Sequence, residues 1–153
     1  MKPLDKITNI WRSTKKYFVD NLQTAQSIPV YFEREFVDFK TEIENAIKQW
    51  VIVDNDGVSH FGSTTNMFLT IYIHSRDDSE GTELYKLRDK LIEMLTDVTD
   101  TDQIRRMPLF DTEQDPWVEE AQGLLFLQDE SPMYYSDDGT LFKSIKVTLR
   151  WFI

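Results

Sequence analysis

Between Met67 and Leu95 the spacing of apolar residues changes from a two-residue to a helical rhythm, and this change lays out the centre of the chain. Met67, Leu69, Ile71 and Ile73 alternate with Phe68, Thr70, Tyr72 and His74, the pattern of a strand with one face buried. Leu84, Leu87, Leu91, Leu95 and Val98 then recur at three- and four-residue steps, with Tyr85, Arg88, Lys90 and Glu93 flanking or opposing them, which predicts an amphipathic helix. Asp77, Asp78, Ser79 and Glu80 stand between the two. Their oxygens suit the unpaired amides and positive end of a helix start.

The neighbours of this unit follow from the same rules. Residues 3–26 read as a first helix, with Leu4, Ile7, Trp11, Phe18, Leu22 and Ala25 on one stripe and Lys6, Arg12, Lys15 and Lys16 off it. Pro3 suits the first turn, and Pro29 stops the helix near Ser27 by forcing its predecessor towards extended backbone. Pro29–Asp38 reads as an edge strand; residues 40–49 fit a short helix or a loop. Trp50–Val53 is strand-like, and Asp54-Asn55-Asp56-Gly57 predicts a hairpin turn that returns through Val58–Phe61. A small polar link, 62–66, leads into the central strand.

Beyond the second helix, residues 97–106 form a polar connection and Met107–Phe110 a short edge strand. An acidic loop, 111–116, precedes a strand over 117–128 with Gly123 as candidate bulge. Residues 131–135 extend that hairpin, and Asp137-Asp138-Gly139 closes it. Ile145, Val147, Leu149, Trp151 and Ile153 then alternate with Lys146, Thr148 and Arg150. An apolar terminus of this kind is expected to be tied into a sheet or an interface. The order α-β-β-β-α-β-β-β predicts one α+β domain over residues 1–153: a single antiparallel or mixed sheet with two helices packed on one face.

Charge narrows the possible partners. The 153 residues carry a formal net charge of −10, and such a surface repels the phosphate backbones that cationic proteins hold by counterion release. A nucleic-acid reader and a binder of anionic membranes are therefore disfavoured. No run approaches the roughly 20 apolar residues of a membrane span, and MKPLDKITNIWRS has no apolar signal core, so the product is expected to stay where it is made. Cysteine is absent, which excludes disulfides and thiolate chemistry.

The search for an active site returns structural readings. Asp77, Asp78 and Glu80, with His74 nearby, offer oxygens for a hard metal ion, but helix capping and solvation explain them better. Asp54–Gly57 resembles the start of a calcium loop, yet Ser63 stands where the bidentate glutamate belongs. His74, Ser75 and Asp77 cannot form a nucleophilic set, because adjacent strand residues point to opposite faces. His60 and His74, the two histidines of the chain, read as half-buried strand residues. No phosphate-binding or nucleophile-elbow motif is present, and no cofactor, metal or catalytic residue is expected. The Trp11/Phe18 stripe reads as core packing rather than a surface for a partner.

With the chain laid out, it resembles the tail-terminator (tail-completion, neck) proteins of long-tailed bacteriophages. The likeness covers most of the chain. It is carried by the early Pro29-Val30-Tyr31 strand, Trp50-Val51, the stretch IYIHSRDDSEGTELYKLRDKLIEML, Arg106-Met107-Pro108-Leu109-Phe110 and the closing VTLRWFI. The resemblance implies a non-enzymatic virion protein, assembled in the host cytoplasm. Its subunits would form a hexameric ring that caps the tail tube, stops its polymerisation and docks the head connector, with DNA passing through the lumen. A negative balance suits a channel in which DNA slides, and apolar strands at the chain end suit edges completed by a neighbour. No motif of the family singles out lumen residues. Asp77, Asp78, Glu80, Asp137, Asp138, Trp151 and Phe152 are the candidates for assembly interface or lumen. Other neck, minor-tail and head-completion proteins share these patterns. The alternatives from different classes are a small metal-dependent enzyme built on the 77–80 turn and a monomeric binding module.

Overall fold

A computed structural model of the chain describes residues 1–33 and 47–152. Its centre is a mixed sheet in the order β1-β2-β3-β7-β5-β4, curled into a half-barrel. The strands are β1 (Val30–Phe32), β2 (Gln49–Phe61), β3 (Thr64–Ser75), β4 (Arg105–Asp111), β5 (Val118–Glu130), β6 (Tyr134–Tyr135) and β7 (Leu141–Phe152). The two-residue β6 lies alongside β7 and adds one strand to the expected order. β1 runs parallel to β2, and every other pairing is antiparallel. Helices α1 (Ile7–Phe18) and α2 (Thr82–Leu95) bury their apolar residues in one cluster with a single sheet face. The fold is thus the α+β single layer that the periodicities predict.

The central alternation holds. Met67, Leu69, Ile71 and Ile73 on β3 are buried against Ile145, Val147 and Leu149 of the adjoining β7. On α2, Leu84, Leu87, Leu91 and Leu95 are buried; Val98 lies beyond the helix end and is exposed. Arg88 on the same helix donates from Nε and Nη2 to both carboxylate oxygens of Glu130 at the end of β5, at 2.8 and 2.7 Å. This planar fork clamps α2 to the sheet.

Two turn-residue expectations in the strands are corrected. Asp54–Gly57 is not a hairpin turn: β2 runs straight through it, and the pairing with β3 shifts between Asn55 and Gly57. The turn-forming side chains serve a bulge instead, with Gly57 N–H donating to Asn55 Oδ1 at 3.0 Å and the Thr70 hydroxyl donating to the Asp56 carboxylate. The chain reverses eight residues after Asp54, at Gly62-Ser63, where Gly62 takes the left-handed φ of 62° required at the first position of a II′ turn. Gly123 is not a bulge but pairs in register with Met107. A Cβ there would meet Leu149 Cδ1 at 2.6 Å, so this site needs glycine for close packing.

The first helix is segmented. A 3-10 turn at Pro3–Asp5 precedes α1, and a π-helical turn, Val19–Thr24, follows it. The helical run does end at Ser27, which takes a left-handed φ of 57°, while Ile28 N–H donates to Leu22 carbonyl at 3.1 Å. The buried face matches the predicted stripe only in part. Ile10, Phe18 and Leu22 are buried, Leu4 and Trp11 are half-buried, and Ile7 and Ala25 are exposed.

Polar residues fill the rest of that face, and the reason lies on the neighbouring strand. β4 is a sheet edge, as predicted, and edge amides invite further strands. Phe110 N–H donates to Ser13 Oγ at 2.9 Å and Thr112 N–H to Asn9 Oδ1 at 3.1 Å. Pro108 has no N–H to offer. Buried Asn9 and Ser13 therefore seal the strand that α1 covers.

The C-terminal strand is flanked on both sides, by β3 and by β5 with β6. It is tied into the sheet as expected, but it is not an edge awaiting a neighbour. The expected strand over 29–38 is described as far as Phe32. Glu33, with a left-handed φ of 52°, follows it, and residues 34–46 and Ile153 lie outside the described residues.

Candidate functional site

The residues from Asp77 to Glu80 divide into different roles. Asp78 accepts from Leu84 N–H at 2.8 Å, from Glu83 N–H at 3.3 Å and from the Ser75 hydroxyl at 3.0 Å. It thereby satisfies the first amides of α2 from outside the helix, a task that Gly81 at the helix start has no side chain to perform. Asp77 sits at φ 54° and ion-pairs with Lys48, whose hydrogen bond and charge hold its carboxyl below the usual range. Ser79 and Glu80 are exposed. Among the described residues, no three His, Asp or Glu side chains converge as metal ligands.

At the chain end Trp151 and Phe152 point opposite ways. Trp151 is buried at 3% exposure and donates Nε1–H to Leu4 carbonyl at 3.0 Å, which removes it from any surface role. Phe152 is 57% exposed, on the sheet face away from the helices. His60 is exposed near the end of β2, contrary to expectation, whereas His74 is half-buried.

Asp137 and Asp138 lie in the turn between β6 and β7, as predicted. That turn overhangs an arrangement no single stretch of sequence reveals. Trp50 on β2 pairs with His74 on β3, His74 with Phe142 on β7, and Phe142 with Tyr134 on β6. The four side chains form one cross-strand row on the sheet face away from the helices, where Trp50 is buried and Tyr134 exposed. Trp50 and His74 stack at 4.9 Å between centroids and 7° between planes; His74 and Phe142 follow at 6.1 Å and 24°. Tyr134 continues the row at 5.6 Å from Phe142. Arg76 lays its guanidinium 4.9 Å from the Trp50 ring centre.

A cleft of about 650 Å3 opens between this row and the turn, with Tyr72, Arg76, Asp137 and Asp138 also on its walls. Burial pushes the His74 imidazole down to about 4, against the pull of hydrogen bonds with the Trp50 and Tyr72 backbones and of the Asp138 charge. The ring is therefore neutral at neutral pH. Asp138 is held down at about 2 by the Ser136 hydroxyl and the Thr140 N–H, the latter at 3.0 Å, so it is ionised. The structure brings Asp137 and Asp138 to this cleft and leaves Asp78 and Glu80 off its walls.

Trp50, Tyr72, Arg76 and Phe142 escape sequence reading because register, not spacing, unites them. The one signal available is that Tyr72 and His74 occupy the non-core positions of β3. Among the described residues, no helix is long and apolar enough to cross a membrane. No protein-family model matches the chain, and no curated protein matches its sequence.

Proposed function

We propose that this chain is a structural virion protein, a tail terminator whose copies close a hexameric ring on the head-proximal end of a phage tail tube. The ring stops tube polymerisation and docks the head connector, and the subunit performs no chemistry. The observation that carries this reading is the open face of the sheet. One face is covered by α1 and α2, and among the described residues no helix covers the other. There Phe68 is 41%, Tyr134 48% and Phe152 57% exposed. Apolar side chains left on one side of a single layer suit a subunit completed by neighbours.

The sealed β4 edge counts against a ring contact by strand addition there, because Ser13 and Asn9 already take amides at that edge. This supports a reading in which the ring contact uses the sheet face away from the helices. The net charge of −10 accords with a lumen that DNA crosses without adhering. A binding module that offers the Trp11/Phe18 stripe has less support, since Phe18 is buried in the core and Trp11 packs edge-on against Phe32 at 5.9 Å.

Electron microscopy and mass photometry, with and without purified tail tubes, test the reading. Six-fold rings, alone or at tube ends, are expected. A strict monomer at high concentration that leaves tube ends bare overturns it.

A further inference from the structure

We infer that a cleft between the π-helical turn, the C-terminal half of α2 and the start of β4 receives the acidic β4–β5 loop of a second copy of this chain. The inference rests on the ring reading and adds to it a contact between neighbours apart from the open sheet face. On a chain of net charge −10, this cleft gathers positive charge. Lys90, Arg105 and Arg106 line it, and Glu93 is the only carboxylate among the described residues of its wall. Lys90 and Arg106 are exposed, and among the described residues their side chains make neither ion pair nor hydrogen bond. Arg105 donates from Nη2 to Glu93 carbonyl at 2.7 Å, which holds its guanidinium beside the end of α2. Its buried Nε–H has no acceptor among the described residues. Asp97 feels the Arg105 charge, but its carboxylate accepts from the Thr99 N–H and hydroxyl at 2.9 and 2.6 Å. Even with Asp97 counted, three cations face two carboxylates, and one positive charge is in excess.

The complement lies at the other end of the same hairpin. Asp115, Glu119 and Glu120 are exposed, and among the described residues their carboxylates have no ion-pair or hydrogen-bond partner. Between Asp115 and Glu119, Trp117 and Val118 are each 40% exposed. An aromatic flanked by carboxylates matches a cleft whose cations stand beside Tyr17, Ala25 and Met94. At about 330 Å3 the cleft takes side chains of a loop rather than a broad surface. The loop cannot reach the cleft of its own subunit. Glu119 pairs with Phe110, five residues along β4 from Arg105, or roughly 17 Å of strand. Complementary groups at opposite ends of one hairpin meet only between copies. Such a contact is heterologous, and heterologous contacts that close give rings.

The test reverses charge on each side in turn. Lys90→Glu with Arg106→Glu reverses the cleft, and Glu119→Lys with Glu120→Lys reverses the loop; all four positions are exposed. Wild type, the two variants, their equimolar mixture and the chain with all four changes are compared by mass photometry, and by electron microscopy with tail tubes. Each variant alone should self-associate about tenfold more weakly than wild type, as for close charge pairs across an interface. The mixture and the fourfold variant should recover rings, because opposite charges then meet at every contact, a rescue that a misfolded variant could not give. Rings from both variants equal to wild type would overturn the contact and leave the ring reading standing. Loss in only one of the two variants, or no recovery in the mixture and the fourfold variant, would overturn it as well, the first by assigning that side to a different partner such as a nucleic-acid phosphate. A wild-type chain that stays monomeric with tubes present overturns the ring reading and this contact with it.

Discussion

The twelve residues of β3 serve two surfaces of different construction. Met67, Leu69, Ile71 and Ile73 enter an aliphatic core with exposures of 0–1%. Phe68, Thr70, Tyr72 and His74 face the other way, where rings stack across strands, the Thr70 hydroxyl bonds to Asp56, and Phe68 is left 41% exposed. On the covered face burial itself supplies the stabilisation, and side chains are interchangeable within volume limits. On the open face a residue's worth depends on its cross-strand partner. The first face holds the fold together through burial; on the second, stabilisation is set pair by pair across the strands.

The comparison breaks first if the covered face is cut. Deleting Leu149–Ile153 removes the rungs that β7 shares with Met67 on β3 and with Leu125 on β5, together with buried Trp151. Each large buried side chain contributes about 1.5–3 kcal/mol, in a domain whose total stability is about 5–15 kcal/mol. The truncated chain should lose its cooperative thermal transition in circular dichroism. Retention of that transition would show that β7 is not the central strand.

Single substitutions sharpen the contrast within one strand. Ile71→Ala should cost about 2–5 kcal/mol, from lost burial plus the cavity left behind. Phe68→Ala, from a ring already partly in water, should cost below about 1 kcal/mol. Urea denaturation compares them directly, and similar costs would mean that something covers the open face in solution.

The open face should also respond to acid through His74. Its folded pKa of about 4 lies below the ordinary 6.5, so between those values the unfolded chain binds the proton and the folded one does not. Stability should therefore fall as pH drops from about 6.5 to about 4, by roughly 2–4 kcal/mol, and this contribution should be flat below that window. Asp138 is lowered to about 2 and Glu130 is also held down, so their contributions fall with acid too, beginning near the ordinary carboxylate range. His74→Phe keeps a flat ring in the row and should abolish the upper part of the slope. An unchanged slope between pH 6.5 and 5 would assign it to other groups.

What the sequence made legible follows the same division. The period-2 pattern identified the core face of β3 and β7, and the three- and four-residue spacing the stripe of α2, because periodicity reports burial without knowledge of the partner. It missed Asn9 and Ser13, polar residues that a hydrophobic pattern places outside, since their burial answers the unpaired amides of Phe110 and Thr112 on a strand about a hundred positions away. It misjudged Asp54–Gly57 because the same side-chain-to-backbone hydrogen bonds fit a turn and a bulge. The row from Trp50 to Tyr134 was illegible because four strands must be in register before it exists.

The smallest effect expected lies at the start of α2, where the acidic turn separates structure from surface. Asp78→Ala removes the acceptor for Leu84 and Glu83 N–H and for the Ser75 hydroxyl. The cost should be about 1 kcal/mol, as for other lost N-terminal caps, or a melting point lower by about 2–4 °C for a chain near 150 residues. Asp77 requires a different control: at φ 54° an alanine would add backbone strain, whereas asparagine tolerates this conformation. Asp77→Asn removes an exposed ion pair with Lys48, an interaction of small net worth, and should leave the melting point within about 1 °C on the same scale. Differential scanning calorimetry of the two variants side by side decides the matter. If Asp77→Asn cost as much as Asp78→Ala, the helix start would depend on the charge of the turn rather than on hydrogen bonds to Asp78. If calorimetric titration found tight, stoichiometric binding of a divalent metal that Asp78→Ala abolished, the turn would be a metal site and the capping account would fall.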